Sequence, residues 1–286
     1  MSAVANVVAV RVPERSWRSE VRAVRIVWRR DLIRFTTDRM RIATLLVQPL
    51  LFLFVLGAGL QTLAAASTDG VELKTFIFPG IICMALVFSA MFNAISLVMD
   101  REFGFLREML VAPVRRSSIV VGKCLGGATV ASLQGAILLA LAGFVEVPYD
   151  PALLLGLFGL QLLIAFTVTA FGVMVAVHIK QIQTFTTVMQ MFVMPLFFLS
   201  GALYPVSGLP TWLEVLTRLN PLTYAVDPMR RLVFDHLDIS EAARRTLDPG
   251  ITWFGWRVPS LVEVGVMLAL GLAMMALAIV QFARTE

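Results

Sequence analysis

Hydrophobic residues in this chain come in long unbroken runs separated by short polar stretches. Six runs, Ala43–Leu63, Phe76–Val98, Ile119–Val145, Leu153–Val177, Phe185–Leu203 and Leu261–Phe282, are apolar enough to predict membrane-crossing helices. Each reaches the roughly 20 residues that span about 30 Å of hydrocarbon. Ahead of them, Trp17, Val21, Val24, Trp28, Leu32 and Phe35 recur at steps of four, three, four, four and three. That spacing predicts a helix with one apolar stripe. Arg18, Arg22, Arg25 and Arg29 line up beside it, which suits a helix lying in the membrane interface.

Composition makes lipid the solvent. The 286 residues are 58% hydrophobic and 15% charged, with mean hydropathy +0.84. A soluble domain carries about 25% charged residues, so this much apolar surface exceeds what a packed core can use. The expected architecture is all-α: an N-terminal segment, residues 1–42, then a six-span transmembrane domain, residues 43–286, with residues 204–260 as a long connection. About forty residues precede the first run, so it does not read as a cleaved signal peptide.

Basic residues set the expected orientation. Ten arginines lie between Arg11 and Arg41, and Arg101, Arg107, Arg115, Arg116 and Lys180 follow in alternate connections. The remaining short connections carry Asp69, Glu72, Lys74, Glu146 and Asp150. Both termini are therefore expected in the cytoplasm. The net charge of +5 follows from this bias and predicts contact with anionic headgroups, not nucleic acid.

Enzymatic and ion-coupled readings find little support. No Asp or Glu lies deep in a run, whereas proton relays use buried ionisable groups. Gln48, Asn93, Gln134, Gln161, Gln190, Thr167 and Thr169 are the polar groups inside, and they suit helix–helix hydrogen bonding. His178 and His236 fall on opposite sides of the expected topology, and Cys83 and Cys124 in different spans, so no metal site, disulfide or catalytic pair is expected. Gly122-Lys123-Cys124 lacks the upstream glycine of a phosphate loop. The chain carries no nucleotide-binding motif and no energy source of its own.

One polar stretch is more elaborate than a connector needs to be. In "DREFGFLREMLVAPVRR", residues 100–116, Phe103, Phe105, Leu106, Met109 and Leu110 share one arc of a helical wheel. Arg101, Gly104, Arg107 and Glu108 occupy the other, and Pro113 ends the helix. Phe103, Leu106 and Leu110 are expected to anchor the segment. Glu102 falls within the apolar arc and calls for a partner; Arg29, Arg30 and Arg34 are the candidates.

"MDREFGFLREMLVAPVRRSSIVVGKCLGG" resembles the cytoplasmic segment of ABC-2 type transporter permeases, through Asp100, Arg101, Glu102, Gly104, Leu106, Met109, Leu110, Pro113, Arg115, Gly122 and Lys123. "FLSGALYPVSGLPTWLEVLTRLNPLTYAVDPMRRLV" is similar to the same family's fifth span and external region, and "FPGII" at 78–82 to its second span. The drug-resistance and daunorubicin-type members look nearest. Pro228 departs from the family pattern, which would keep that external helix unbroken.

The resemblance implies the membrane subunit of an ATP-binding-cassette exporter, moving a hydrophobic or amphipathic substrate such as a drug, lipid or lipid-linked glycan out across a bacterial plasma membrane. It implies two partners, a separate ATP-binding subunit that holds ATP and Mg, and a second permease subunit. The 100–116 segment would be a coupling helix, with Arg101, Glu102, Phe103, Gly104, Arg107 and Glu108 as the ATPase contacts and Glu102 as an internal brace. Phe88, Met91, Phe92 and Asn93, with Met189, Gln190, Phe192, Met194 and Phe197, would line a substrate path. Residues 204–260 would form re-entrant helices, with Tyr204, Pro205, Asn220, Pro221 and Tyr224 at an external gate and Asp235–Arg257 as a loose polar cover. An ATP-independent carrier or membrane scaffold is the alternative reading.

Overall fold

The computed structural model describes residues 16–59, 72–106, 109, 114–206, 209–237, 239–240, 244, 247, 250–253 and 255–285. Five helices have the length and composition to cross a membrane: α2 (Arg39–Gly59), α3 (Leu73–Glu102), α4 (Arg116–Leu139), α5 (Pro151–Ala176) and α9 (Ser260–Thr285), with α1 (Trp17–Thr37) ahead of them. The remaining run forms α6 (Ile182–Phe198), an apolar helix of 17 residues. At 1.5 Å per residue it is about 25 Å long. Two further helices, α7 (Thr211–Leu219) and α8 (Thr223–Phe234), and a hairpin of β1 (Thr252–Trp253) and β2 (Trp256–Arg257) fill the connection to α9.

Helix α3 is the centre. Residues from Thr75 to Val98 are almost all buried, because α4, α5, α6 and α8 pack around it. The α2 helix, which relaxes into a π-turn at Phe52–Leu56 just after Pro49, and α9 bury much less of themselves. The third apolar run does not stay helical to Val145; α4 ends at Leu139 and Ala142–Val145 forms a separate 3₁₀ turn. The predicted end of the first run at Leu63 lies outside the described residues.

Polar groups inside the bundle act as glue between helices. Gln134 donates to the carbonyl of Leu45 on α2, Gln161 to Gly135 on α4, and the Thr167 hydroxyl to Met267 on α9. Asn93 bonds within its own helix, to Ser89. Each satisfies a group that hydrocarbon would leave bare.

Helix α1 packs along α4 through a face that borders the apolar stripe and shares Phe35 with it, while Val24, Trp28 and Leu32 are half-buried. Glu20, Ala23, Val27, Asp31 and Phe35 are buried, whereas Trp17 is 80% exposed and Val21 47%. The two acids on the packed face have partners on the α4 side, the Arg115 N–H and the Ser118 hydroxyl for Glu20 and Lys123 for Asp31. Close approach depends on Gly122 and Gly126, one turn apart on α4. A Cβ on Gly122 would lie 2.8 Å from Cβ of Val27, and one on Gly126 3.1 Å from Cβ of Asp31. Trp28 completes the seam through Nε1, which donates to the Thr129 hydroxyl at 3.0 Å.

The opposite end of the bundle is closed by α7, α8 and the hairpin. Helix α8 runs unbroken through Pro228, so the departure from the family pattern leaves this helix intact. Arg230, fully buried, donates to the carbonyls of Gly201 and Ala202 and stacks 4.1 Å over the ring of Phe76. Arg231 pairs with Asp227 and, at 3.2 Å, with Glu263 at the head of α9. Of the expected polar cover, Ile251 is buried and Trp253 Nε1 donates to the Tyr224 hydroxyl, while residues 238, 241–243, 245–246, 248–249 and 254 lie outside the described residues.

Replacing Gly122 with leucine should overpack the α1–α4 seam and lower stability by about 1–3 kcal/mol. Gly159→Leu, where nothing lies within 4 Å, should change little. Thermal unfolding in detergent compares the two; equal shifts would remove the claim that the glycines admit α1.

Candidate functional site

Asp100, Arg101 and Glu102 form the last turn of α3, and each reaches a different neighbour. Asp100 Oδ2 accepts from Arg30 Nη2 of α1 at 2.6 Å and lies 3.1 Å from Lys123 Nζ of α4. Arg101 Nη1 donates to the carbonyls of Val177 and Ile179, both at 2.9 Å, and to Ala176 at 3.3 Å. Those carbonyls end α5, where the helix dipole is negative and backbone acceptors lack partners. Glu102 Oε2 accepts the backbone N–H of Ile182 at 2.8 Å, capping the first turn of α6.

This overturns two expectations. Arg101 does not face outward; it is drawn back to the carbonyls at and just beyond the end of α5. Glu102 takes no arginine from α1; the α6 N-terminus holds it instead. Of the three candidates, Arg30 does come to this end of α3, but its carboxylate is Asp100.

Behind Asp100 sits a buried charge cluster that the amino-acid pattern did not disclose. Lys123, 2% exposed, donates to the Ser96 hydroxyl at 2.7 Å and lies 3.4 Å from Asp31. Arg30 approaches Asp31 to 3.8 Å. Two acids and two bases balance, with Arg30 at the open edge of the group and Lys123 buried within it. Burial pushes the Asp31 carboxyl above the ordinary carboxylate range, and Lys123 and Arg30 oppose that shift. A second acid works nearby: Glu20 accepts the N–H of Arg115 at 3.0 Å and the Ser118 hydroxyl at 2.6 Å, capping α4 from α1. The signal that could have found the cluster was a lysine, Lys123, in the second turn of an otherwise apolar run.

Beyond Glu102 the chain breaks. Gly104 has φ +82°, a left-handed conformation that favours glycine, and a helical turn resumes at Phe105–Leu106. The predicted single helix from Asp100 is therefore the tail of α3, then a kink, then a new turn. Leu106 anchors it at 2% exposure, but Phe103 and Phe105 stand out at 62% and 55%. Phe103 is thus not an anchor. Arg107, Glu108, Leu110 and Pro113 lie outside the described residues. A cavity of about 590 Å³ opens here, lined by Arg30, Arg34, Phe103, Phe105 and Met109 among others.

The expected substrate path divides. Met91, Asn93, Met189 and Phe197 are buried within this one chain and Phe88 is half-buried, whereas Phe92, Gln190, Phe192 and Met194 are exposed. At the other end, the Tyr204 hydroxyl donates to the Phe198 carbonyl and that of Tyr224 to the Arg218 carbonyl. Asn220 accepts the N–H of Leu222 and donates to the carbonyl of Leu196, in the turn just ahead of α8, which starts at Thr223. Pro221 lines an apolar cavity, and Pro205 is half-buried in the turn after α6.

Asp100→Asn should cost about 3 kcal/mol, because Arg30 and Lys123 lose their shared carboxylate charge. Glu102→Gln, at an exposed site with one backbone bond, should cost about 1 kcal/mol. Denaturant or thermal unfolding in detergent measures both; a smaller loss for Asp100→Asn than for Glu102→Gln would contradict the ranking.

Comparison with known proteins gives the family. The family model described as "ABC-2 type transporter" matches residues 22–234, from α1 through α8. The chain is 32% identical over 192 residues to "Putative transport permease ycf38" of Cyanophora paradoxa, covering 65% of this chain and 66% of that one. It is 30% identical over 221 residues to "Nodulation protein J" of Rhizobium leguminosarum bv. trifolii, covering 73% and 80%. It is also 30% identical over 164 residues to "Probable multidrug ABC transporter permease YbhR" of Escherichia coli K12, covering 56% of this chain and 44% of that one. The chain thus spans about two thirds of the first relative and less than half of the third. With α1 and every helix through α8 inside the matched region, this chain belongs to the ABC-2 type transporter family, a membrane component of ABC transporters.

Proposed function

We propose that this chain is the permease subunit of an ATP-driven exporter, that Phe103-Gly104-Phe105 is the handle for a separate ATPase subunit, and that this end faces the cytoplasm of a bacterium. One observation carries the reading. Two large aromatic side chains are exposed on either side of a left-handed glycine. They stand immediately beyond a helix end bonded to α1, α4, α5 and α6. A push on that knob is delivered to four helices at once, and an exposed aromatic pair is a usual anchor for a partner's pocket.

Family membership supports the ATPase partner, which would bring ATP and Mg. A second permease subunit, homologous or identical, would complete the translocation path, with the exposed Phe92, Gln190, Phe192 and Met194 on the faces it could cover. Soft, adaptable methionine and phenylalanine suit an apolar or amphipathic cargo. The name of the Escherichia coli relative, "Probable multidrug ABC transporter permease YbhR", points the same way.

The test is the double variant Phe103→Asp and Phe105→Asp. Co-purification with the ATP-binding subunit should fall at least tenfold, with ATP-dependent export lost and membrane insertion unchanged. Intact pairing and export in that variant would remove the handle. Transport by the wild-type chain alone in liposomes without ATP would favour a carrier instead.

A further inference from the structure

Two cavities meet along one face of α9. The deeper, about 240 Å³, has walls that include Phe171, Met189, Phe192 and Met274. The other, about 460 Å³, lies at the head of α9 and is bounded by Arg218, Tyr224, Trp253 and Trp256. Pro221 and Leu270 belong to both walls, so the two adjoin, with these side chains at the neck between them. The α9 side of this groove is Val262, Val266, Leu270 and Met274, spaced four apart and therefore stacked along the helix. Twelve residues of helix make it about 18 Å long. That is a little more than half of a 30 Å hydrocarbon core, or about one leaflet.

The two ends differ in chemistry. The deep end has one polar side chain, Thr167, whose hydroxyl is engaged with the carbonyls of Leu163 and Met267. Water would find almost no partner there, and a dry apolar cavity takes hydrocarbon. The shallow end is amphipathic. Trp253 Nε1 donates to the Tyr224 hydroxyl, which donates to the Arg218 carbonyl, and Trp256 is 56% exposed. Trp and Tyr favour the headgroup level of a bilayer. The bonds Arg218 makes among the described residues, to Glu214 at 2.5 Å and Thr252 Oγ1 at 3.2 Å, both leave from Nη2. Nε and Nη1 remain for an anionic acceptor, and a guanidinium fork matches phosphate.

We propose that this groove binds one phospholipid of the adjoining leaflet, its phosphate at Arg218 and one acyl chain lying along α9 past Leu270 into the cavity beside Phe171 and Met189. A helix of a second copy is about 10 Å across and cannot enter a 240 Å³ space; a single hydrocarbon chain can. The site lies within one subunit, and the inference requires only that α9 sits in a bilayer, so it stands apart from the exporter reading.

Native mass spectrometry of the intact purified protein, with phosphatidylglycerol or phosphatidylcholine added, tests it. One tightly held lipid per chain is expected, with phosphatidylglycerol preferred. Val262→Trp, at the exposed mouth where the core is untouched, should cut occupancy at least tenfold, as should Leu270→Phe at the neck. Arg218→Gln should abolish the preference for phosphatidylglycerol while leaving some lipid bound. Unchanged occupancy in Val262→Trp with a wild-type unfolding temperature would overturn the proposal. So would a disulfide between Val266→Cys chains, which would mean that a second copy covers the groove.

Discussion

The structure depends on how the last turn of α3 is held. Its helix is the most deeply buried, and its final three residues carry charge in the order acid, base, acid. Helix ends are where backbone groups lack partners and where the dipole concentrates. Arg101 answers the negative end of α5, Glu102 answers the positive end of α6, and Asp100 joins the bases of α1 and α4. A tripeptide thus sets the relative position of five helices. Its exposed neighbours, Phe103 and Phe105, inherit a rigid mounting that a free loop would lack.

Charge inside the bundle is tolerated because it is paired. Lys123 would be costly in an apolar setting without Asp100, Asp31 and Ser96 around it. The same holds at the far end, where Arg230 finds two carbonyls and the ring of Phe76, and Arg231 bridges Asp227 and Glu263. Between the two ends the helices are joined by amides and hydroxyls, which need no counterion. Charge at the rims and neutral hydrogen bonds at mid-depth follow the polarity of the surrounding membrane.

Much of this was legible along the chain. Apolar run length announced the helices, since crossing hydrocarbon fixes how many residues are needed. Amides within those runs announced helix contacts, and Gln134, Gln161 and Thr167 make them. The 100–116 stretch stood out by its charge pattern, although the kink at Gly104 was not read from it.

The partners were decided only by the tertiary fold. A helical wheel placed Arg101 outside because a wheel sees one helix, whereas the acceptors that hold Arg101 belong to residues 176–179. The stripe on α1 said nothing of the neighbouring face, which carries Glu20 and Asp31 inward to Ser118, the Arg115 N–H and Lys123. Local periodicity by itself determined which segments are helical and roughly where they end. Which face of each turns inward depended on charges 70 to 100 residues away, and those distances close only when the bundle packs.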